Sequence, residues 1–172
     1  MSTKRVGARG WVETGKLPRG PGGRALCRRC NQEVPKGRRS FCSETCVVEW
    51  KVRSDPGYVR KALAKRDKGI CAICEADCRE LARELAALQD YGVEGAAVVW
   101  EVRAALGIPW SRDTFWDADH TIPVVEGGGE CGLDGYRTLC LVCHKDVTKA
   151  LRARMKARRC TQPPEPDSPP KP

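Results

Sequence analysis

The chain has 172 residues, enough for one domain with appendages and too few for two large ones. Hydrophobic residues make up 41%, aromatics 6% and charged residues 31%, a soluble composition short of bulky core side chains. Its 31 basic residues outnumber 22 acidic ones, a net charge of +9 that favours a polyanionic partner, and no apolar run is long enough for a membrane span.

In chain order, residues 1–24 are rich in Gly, Arg and Lys and carry no hydrophobic period, so they read as a mobile basic arm. Ser43 followed by Glu44 predicts a helix cap and a helix to about Arg53. Ser54-Asp55-Pro56 places a proline in the first turn of a second helix, which Lys68-Gly69 ends. Leu81, Leu85 and Leu88 mark a third helix over about 79–89, and Val98, Val99, Val102 and Leu106 a fourth, stopped by Gly107 and Pro109. These two are expected to form a hairpin. Thr114–Trp116 and Thr121–Val125 read as short strand or extended pieces, Gly127–Gly129 as a loop, and Tyr136–Leu139 as a second strand. A last helix is expected over about 144–159, with Val147, Ala150, Leu151 and Met155 facing inward. Six of the eleven residues from Gln162 to Pro172 are proline, which predicts an extended tail.

Eleven cysteines in a chain whose opening residues do not read as a signal peptide point to metal rather than disulfides, and to an intracellular protein that is not secreted. Cys71-x2-Cys74 and Cys140-x2-Cys143 together supply four thiolates, the donor set of a closed structural zinc site. Cys27-x2-Cys30, followed by Cys42-x3-Cys46, forms a second such set, with Cys42 and Cys46 one helical turn apart. Cys160 is expected to be a free thiol, and Cys78 and Cys131 to be either neighbours of the zinc site or small apolar packing.

The only two histidines lie in suggestive settings. Asp119-His120 ends a strand, and His144 opens a helix directly after the second knuckle. A carboxylate and two imidazoles supply two ligands for a divalent cation and one general base, which is what phosphodiester hydrolysis requires.

At these positions the sequence resembles the HNH endonuclease family, the ββα-metal nucleases, and in particular the HNH modules of an annealing helicase and related bacterial proteins. The matching residues are Cys71-x2-Cys74, Trp116-x2-Asp119-His120-x2-Pro123-Val124, Glu126-Gly127-Gly128-Gly129, Leu139-Cys140-x2-Cys143-His144 and Thr148. The resemblance covers about residues 70–158, and Phe41-Cys42-Ser43 with Trp50 extends it upstream. It implies that His120 is the base that activates water and that Asp119 and His144 hold a catalytic Mg2+ or Mn2+. It also implies a structural zinc on Cys71, Cys74, Cys140 and Cys143. The family's middle asparagine falls at Gly135, so restoring asparagine there is expected to raise cleavage.

The expected fold is α+β: a zinc-stapled ββα-metal, treble-clef-like HNH core with a helical insert and a small N-terminal zinc unit. The expected division is a basic arm (1–24), a four-cysteine zinc unit with helices (25–68), the nuclease domain (69–160) and a Pro-rich tail (161–172). The function this supports is a divalent-metal-dependent DNA endonuclease with two structural Zn2+ ions. DNA is expected to lie on Arg137, Lys145, Lys149, Arg152 and Lys156, with phosphate contacts dominating. The alternative is a zinc-stabilised nucleic-acid-binding module with a degenerate nuclease site. A protein-docking adaptor explains the cysteines but not Asp119, His120 and His144 together.

Overall fold

Cysteine knuckles organise both parts of the chain. The computed structural model describes residues 12–161, which divide into two units: the chain up to Ala62 with Ile122–Gly135, and Leu63–Thr121 with the chain from Tyr136 onward. The first eleven residues of the expected arm and the expected tail from Gln162 lie outside the described residues.

In the first unit, Cys27-x2-Cys30 folds into a knuckle. The Cys27 N–H donates to Gln32 O at 2.7 Å, and the Asn31 N–H donates back to Cys27 O at 3.0 Å. Asn31 closes the turn at φ 60°, a region asparagine tolerates better than most residues. Helix α1 (Glu44–Ser54) starts where the sequence predicts: Ser43 Oγ accepts from the Cys46 N–H at 3.1 Å, capping the first turn. Cys27, Val34 and Cys46 are buried with Phe41 and Cys42 packed against them, a core too small to fold on apolar burial alone. The Arg28 guanidinium adds a lid, lying 4.2 Å from the Trp50 ring centroid. Helix α2 (Pro56–Arg66) begins at the proline, whose missing N–H costs nothing in a first turn.

Two expectations for this unit are corrected. Part of the supposed arm is built into it: Leu17 is buried, Leu26 N–H donates to Pro18 O at 2.7 Å, and Arg19 pairs with Ala25 across a glycine-rich turn. Burial of the one leucine anchors what composition alone marks as loose. Thr121–Val125 is not extended, and Val124–Glu126 forms a 3-10 turn. Pro123 has no N–H for a ladder, and its carbonyl accepts from Glu126 at 2.8 Å and Gly128 at 3.0 Å, with Gly127 at φ 98°.

The second unit contains the end of α2, helices α3 (Cys78–Gln89) and α4 (Gly92–Ala105), strands β1 (Trp116–His120) and β2 (Tyr136–Cys140), and helix α5 (Leu141–Thr161). Asp77 caps α3, accepting from the N–H groups of Arg79 and Glu80, each at 2.9 Å. Helices α3 and α4 pack as the expected hairpin, and buried Gly95 permits it, because a Cβ there would collide with the carbonyl of Leu88. The strands are antiparallel, pairing Trp116 with Cys140, Asp117 with Leu139, Ala118 with Thr138, Asp119 with Arg137 and His120 with Tyr136. Leu63, Leu139 and Val99 are fully buried, and Phe115 and Trp116 nearly so.

Two polar tethers in this unit were not foreseen. Arg103, on α4, is 8% exposed. Its Nη2 donates to Pro109 O at 2.6 Å and Arg112 O at 2.9 Å, tying the hairpin to the segment that enters β1. Asp67, just past α2, accepts from fully buried Thr138 Oγ1 at 2.8 Å and pairs with Arg66, which holds its carboxyl below the usual carboxylate range. The last helix starts three residues earlier than expected, which puts Cys143 and His144 in its first turn. Among the described residues no helix is long and apolar enough to cross a membrane.

Candidate active site and metal centres

The four sulfurs of Cys27, Cys30, Cys42 and Cys46 lie within 4.8 Å of one another, and so do those of Cys71, Cys74, Cys140 and Cys143. Cys30–Cys42 and Cys42–Cys46 are each 3.5 Å apart, and Cys74–Cys140 3.7 Å. A tetrahedron with Zn–S bonds of about 2.3 Å has sulfur–sulfur edges of about 3.8 Å, so both donor sets fit zinc in type and size.

The two centres share one backbone plan. In the second knuckle Cys71 N–H donates to Ala76 O at 3.0 Å and Glu75 N–H to Cys71 O at 3.0 Å, with Glu75 at φ 59°, matching the first position for position. Burial raises the Cys27 thiol, but the N–H groups of Cys30, Cys42 and Arg29 outweigh it and bring the pKa down to about 6. At Cys71 the opposition is the same: burial against the N–H groups of Cys74, Cys140 and Ile73, again with a result of about 6. One acidic thiol per knuckle is a ready first ligand. Cys78, buried at the start of α3, is pushed up to about 12 by burial and by the nearby sulfurs of Cys140, Cys71 and Cys74. It neighbours the second quartet as a protonated packing group, one of the two roles the sequence left open. The Cys160 side chain lies outside the described residues.

The chemical residues gather on β1, β2 and the first turn of α5. Strand alternation places Asp117 and Asp119 on one face of β1 and His120 on the other. Asp119 is held by the paired Arg137, whose Nη2 lies 2.9 Å from Oδ2. His144 meets Asp117, not Asp119: its Nδ1 is 3.4 Å from Asp117 Oδ2, while Arg112 Nη2 lies 2.6 Å from Oδ1. Sequence reasoning missed this use of Asp117. The two-residue offset from Asp119 is the signal that could have found it. His120 packs against Tyr136, ring centroids 4.2 Å apart, and Trp116 is buried beneath the same face. Among the described residues no third group of three or more Cys, His, Asp or Glu donors is gathered as tightly as the quartets. Asp117, Asp119 and His144 do not close to that distance.

Gly135 ends the 3-10 turn Leu133–Gly135 before β2. A Cβ built on it would lie 2.5 Å from Cys131 Sγ and closer still to Cys131 Cβ, so the space an asparagine needs is filled. Of the five cations expected on DNA, Arg137 is engaged by Asp119, and Lys145 Nζ donates to Gly107 O at 2.5 Å. Lys149, Arg152 and Lys156 are exposed at helical spacing on α5.

No protein-family model matches the chain. Over 155 residues, 80% of this chain, it is 32% identical to the mouse (Mus musculus) DNA annealing helicase and endonuclease ZRANB3 and 30% identical to the human (Homo sapiens) protein of that name. It is also similar to the crystal structure of the human ZRANB3 HNH domain, with 29% identity, a TM-score of 0.46, and coverage of 62% of this chain and 97% of that one. The chain spans 14% of the length of the curated relatives it matches.

Proposed function

We propose that the chain is an intracellular, divalent-metal-dependent HNH endonuclease that hydrolyses phosphodiester bonds in DNA. The observation that carries this reading is the junction of β1, β2 and α5. There Asp117 and Asp119 share a strand face, and α5 brings His144 onto Asp117 one residue after Cys143 of the second quartet. We assign the nuclease domain to 69–160 in a treble-clef-like ββα arrangement, followed by 161–172, and the four-cysteine unit to 25–68 with the folded part of 1–24 built onto it. Zinc in both quartets is structural in this reading.

Asp119 and His144 would hold Mg2+ or Mn2+, which supplies charge neutralisation at the phosphate undergoing attack. Asp117 lies 3.4 Å from His144 Nδ1, and by accepting a hydrogen bond there it would leave Nε2 with its lone pair outward, in the tautomer a metal ligand needs. Arg112 fixes Asp117, and Arg137 fixes the rotamer of Asp119. His120, at the end of β1 and braced by Tyr136, accepts the proton of the attacking water. Lys149, Arg152 and Lys156 receive phosphates of the flanking duplex.

A nicking assay on supercoiled plasmid with Mg2+ or Mn2+ tests the reading. His120→Ala should cut the rate by about 10²–10⁴-fold with two zinc ions per chain retained, because a general base acts on the barrier. The specific feature favouring the second reading, a nucleic-acid-binding module with a degenerate site, is Gly135 packed under Cys131. Wild-type protein that binds DNA but nicks nothing with either metal would establish that module in place of the enzyme.

A further inference from the structure

The first unit repeats the zinc half of the second without its acid and imidazole groups. Arg28 N–H donates to Ser40 O at 3.0 Å as Ala72 N–H donates to Thr138 O at 2.8 Å, each linking a knuckle to the residue two before its third cysteine. Both histidines of the chain belong to the second unit, so the first has the scaffold and no hydrolytic set. It carries charge instead. Its described segments, 12–62 and 122–135, contain twelve basic side chains against eight acidic ones, with every base in the first segment.

Four of those cations, Arg19, Arg24, Arg38 and Arg39, line one open cleft of about 430 Å³. Its other walls are glycine, Thr14, Ala25 and Val34, and no acid lines it. Two of the guanidiniums are positioned by the backbone: Arg19 Nη1 donates to Gly23 O at 2.6 Å and Arg24 Nε to Val34 O at 2.5 Å. Each spends one donor of its five there and keeps the remainder for a ligand. Glu33 is turned into the adjoining turn, accepting from the Gly22 N–H at 2.6 Å, and Arg38 reaches exposed Glu44 only at 3.8 Å.

We propose that this cleft is a second nucleic-acid site, which holds the sugar–phosphate backbone of DNA through forked arginine–phosphate contacts without reading bases. Guanidinium forks match phosphate oxygens two at a time, and several in one trough match a ligand with a charge about every 3.4 Å along each strand. Small residues and glycine backbone in the walls admit a backbone closely but give an acidic peptide no pocket for its side chains. The inference concerns binding and holds whether or not the chain cleaves.

The test is fluorescence anisotropy of a labelled 20-base-pair duplex on the full, zinc-loaded chain without added Mg2+ or Mn2+, across a salt series. Arg19→Gln/Arg38→Gln/Arg39→Gln should make the log–log salt slope shallower by about 2 to 3, since each lost phosphate contact removes about 0.9. The Arg→Lys counterpart should keep the slope. An unchanged slope in a Gln variant that retains two zinc ions overturns the proposal. Should that variant lose zinc, the single change Arg39→Glu decides: a slope reduced by about 1 supports the cleft, and no change overturns it. Lys149→Gln/Arg152→Gln on α5 is run beside it. A response there but not in the cleft refutes the cleft alone, and no response in either set refutes the DNA reading itself. Poly-glutamate competing as well as DNA at equal charge overturns the nucleic-acid assignment.

Discussion

Asp117 has Arg112 at 2.6 Å from one carboxylate oxygen and His144 at 3.4 Å from the other, so it is the outer partner of His144 in the proposed site. Asp117→Asn, nearly the same in shape, should raise the Mn2+ concentration for half-maximal nicking by about 10–100-fold, the usual cost of losing a ligand's outer partner. An unshifted titration would make the contact incidental. Gly135 asks for a different experiment from the one its sequence suggests. Asparagine there would be driven into Cys131, so Gly135→Asn should lower stability by about 1–3 kcal/mol, an overpacking cost, instead of raising cleavage. Cys131→Gly in the same chain should return much of the loss, read as the thermal midpoint. A Gly135→Asn protein as stable as wild type would contradict the packing.

Each knuckle with its helix gathers four thiols that could hold a metal ion, and its pH response follows from those thiols. Cys27 and Cys71 fall from the ordinary 9.0 to about 6 in the folded chain, so their contribution is complete above pH 9 and is lost as pH falls through 6. Cys42 and Cys78 are raised to about 12 and contribute in the opposite sense, fully below pH 9 and lost as pH rises toward 12. Zinc binding displaces the remaining thiol protons, so acid competes with metal at both centres. Zinc released to a chromogenic chelator should therefore rise, and the thermal midpoint fall, as pH is taken from 7 to 5. A midpoint that does not move over this range would argue that neither quartet holds metal.

For the whole molecule, the net charge of +9 sets a general attraction for nucleic acid, but the structure sorts the cations. Arg137 and Lys145 are engaged within the second unit, and Lys149, Arg152 and Lys156 are exposed. Arg152→Ala/Lys156→Ala should flatten the salt dependence of duplex binding by about 2. Lys145→Ala should leave it nearly as it was. Equal effects from both would mean that charge count governs and position does not.

The Cys-x2-Cys knuckles, the Ser43 cap and Pro56 could all be read directly, because each depends on neighbours within a turn or two. Knuckles and caps are local geometry, and the residue types they need leave few alternatives. The extended reading of Thr121–Val125 failed because its β-branched residues suit a strand, whereas Pro123 and Gly127 bend the backbone into a turn. Trp116–His120, with two aspartates, has poor strand propensity and pairs because β2 supplies a partner. Which carboxylate meets His144, which cations stay exposed and what fills the space beside Gly135 depend on strand register and on residues distant in sequence. Neighbouring strand residues face opposite ways, so one step of register exchanges Asp117 and Asp119 for Ala118 and His120. No local pattern carries that information. Packing of Leu139, Thr138 and α5 sets it, and with it the geometry around His144.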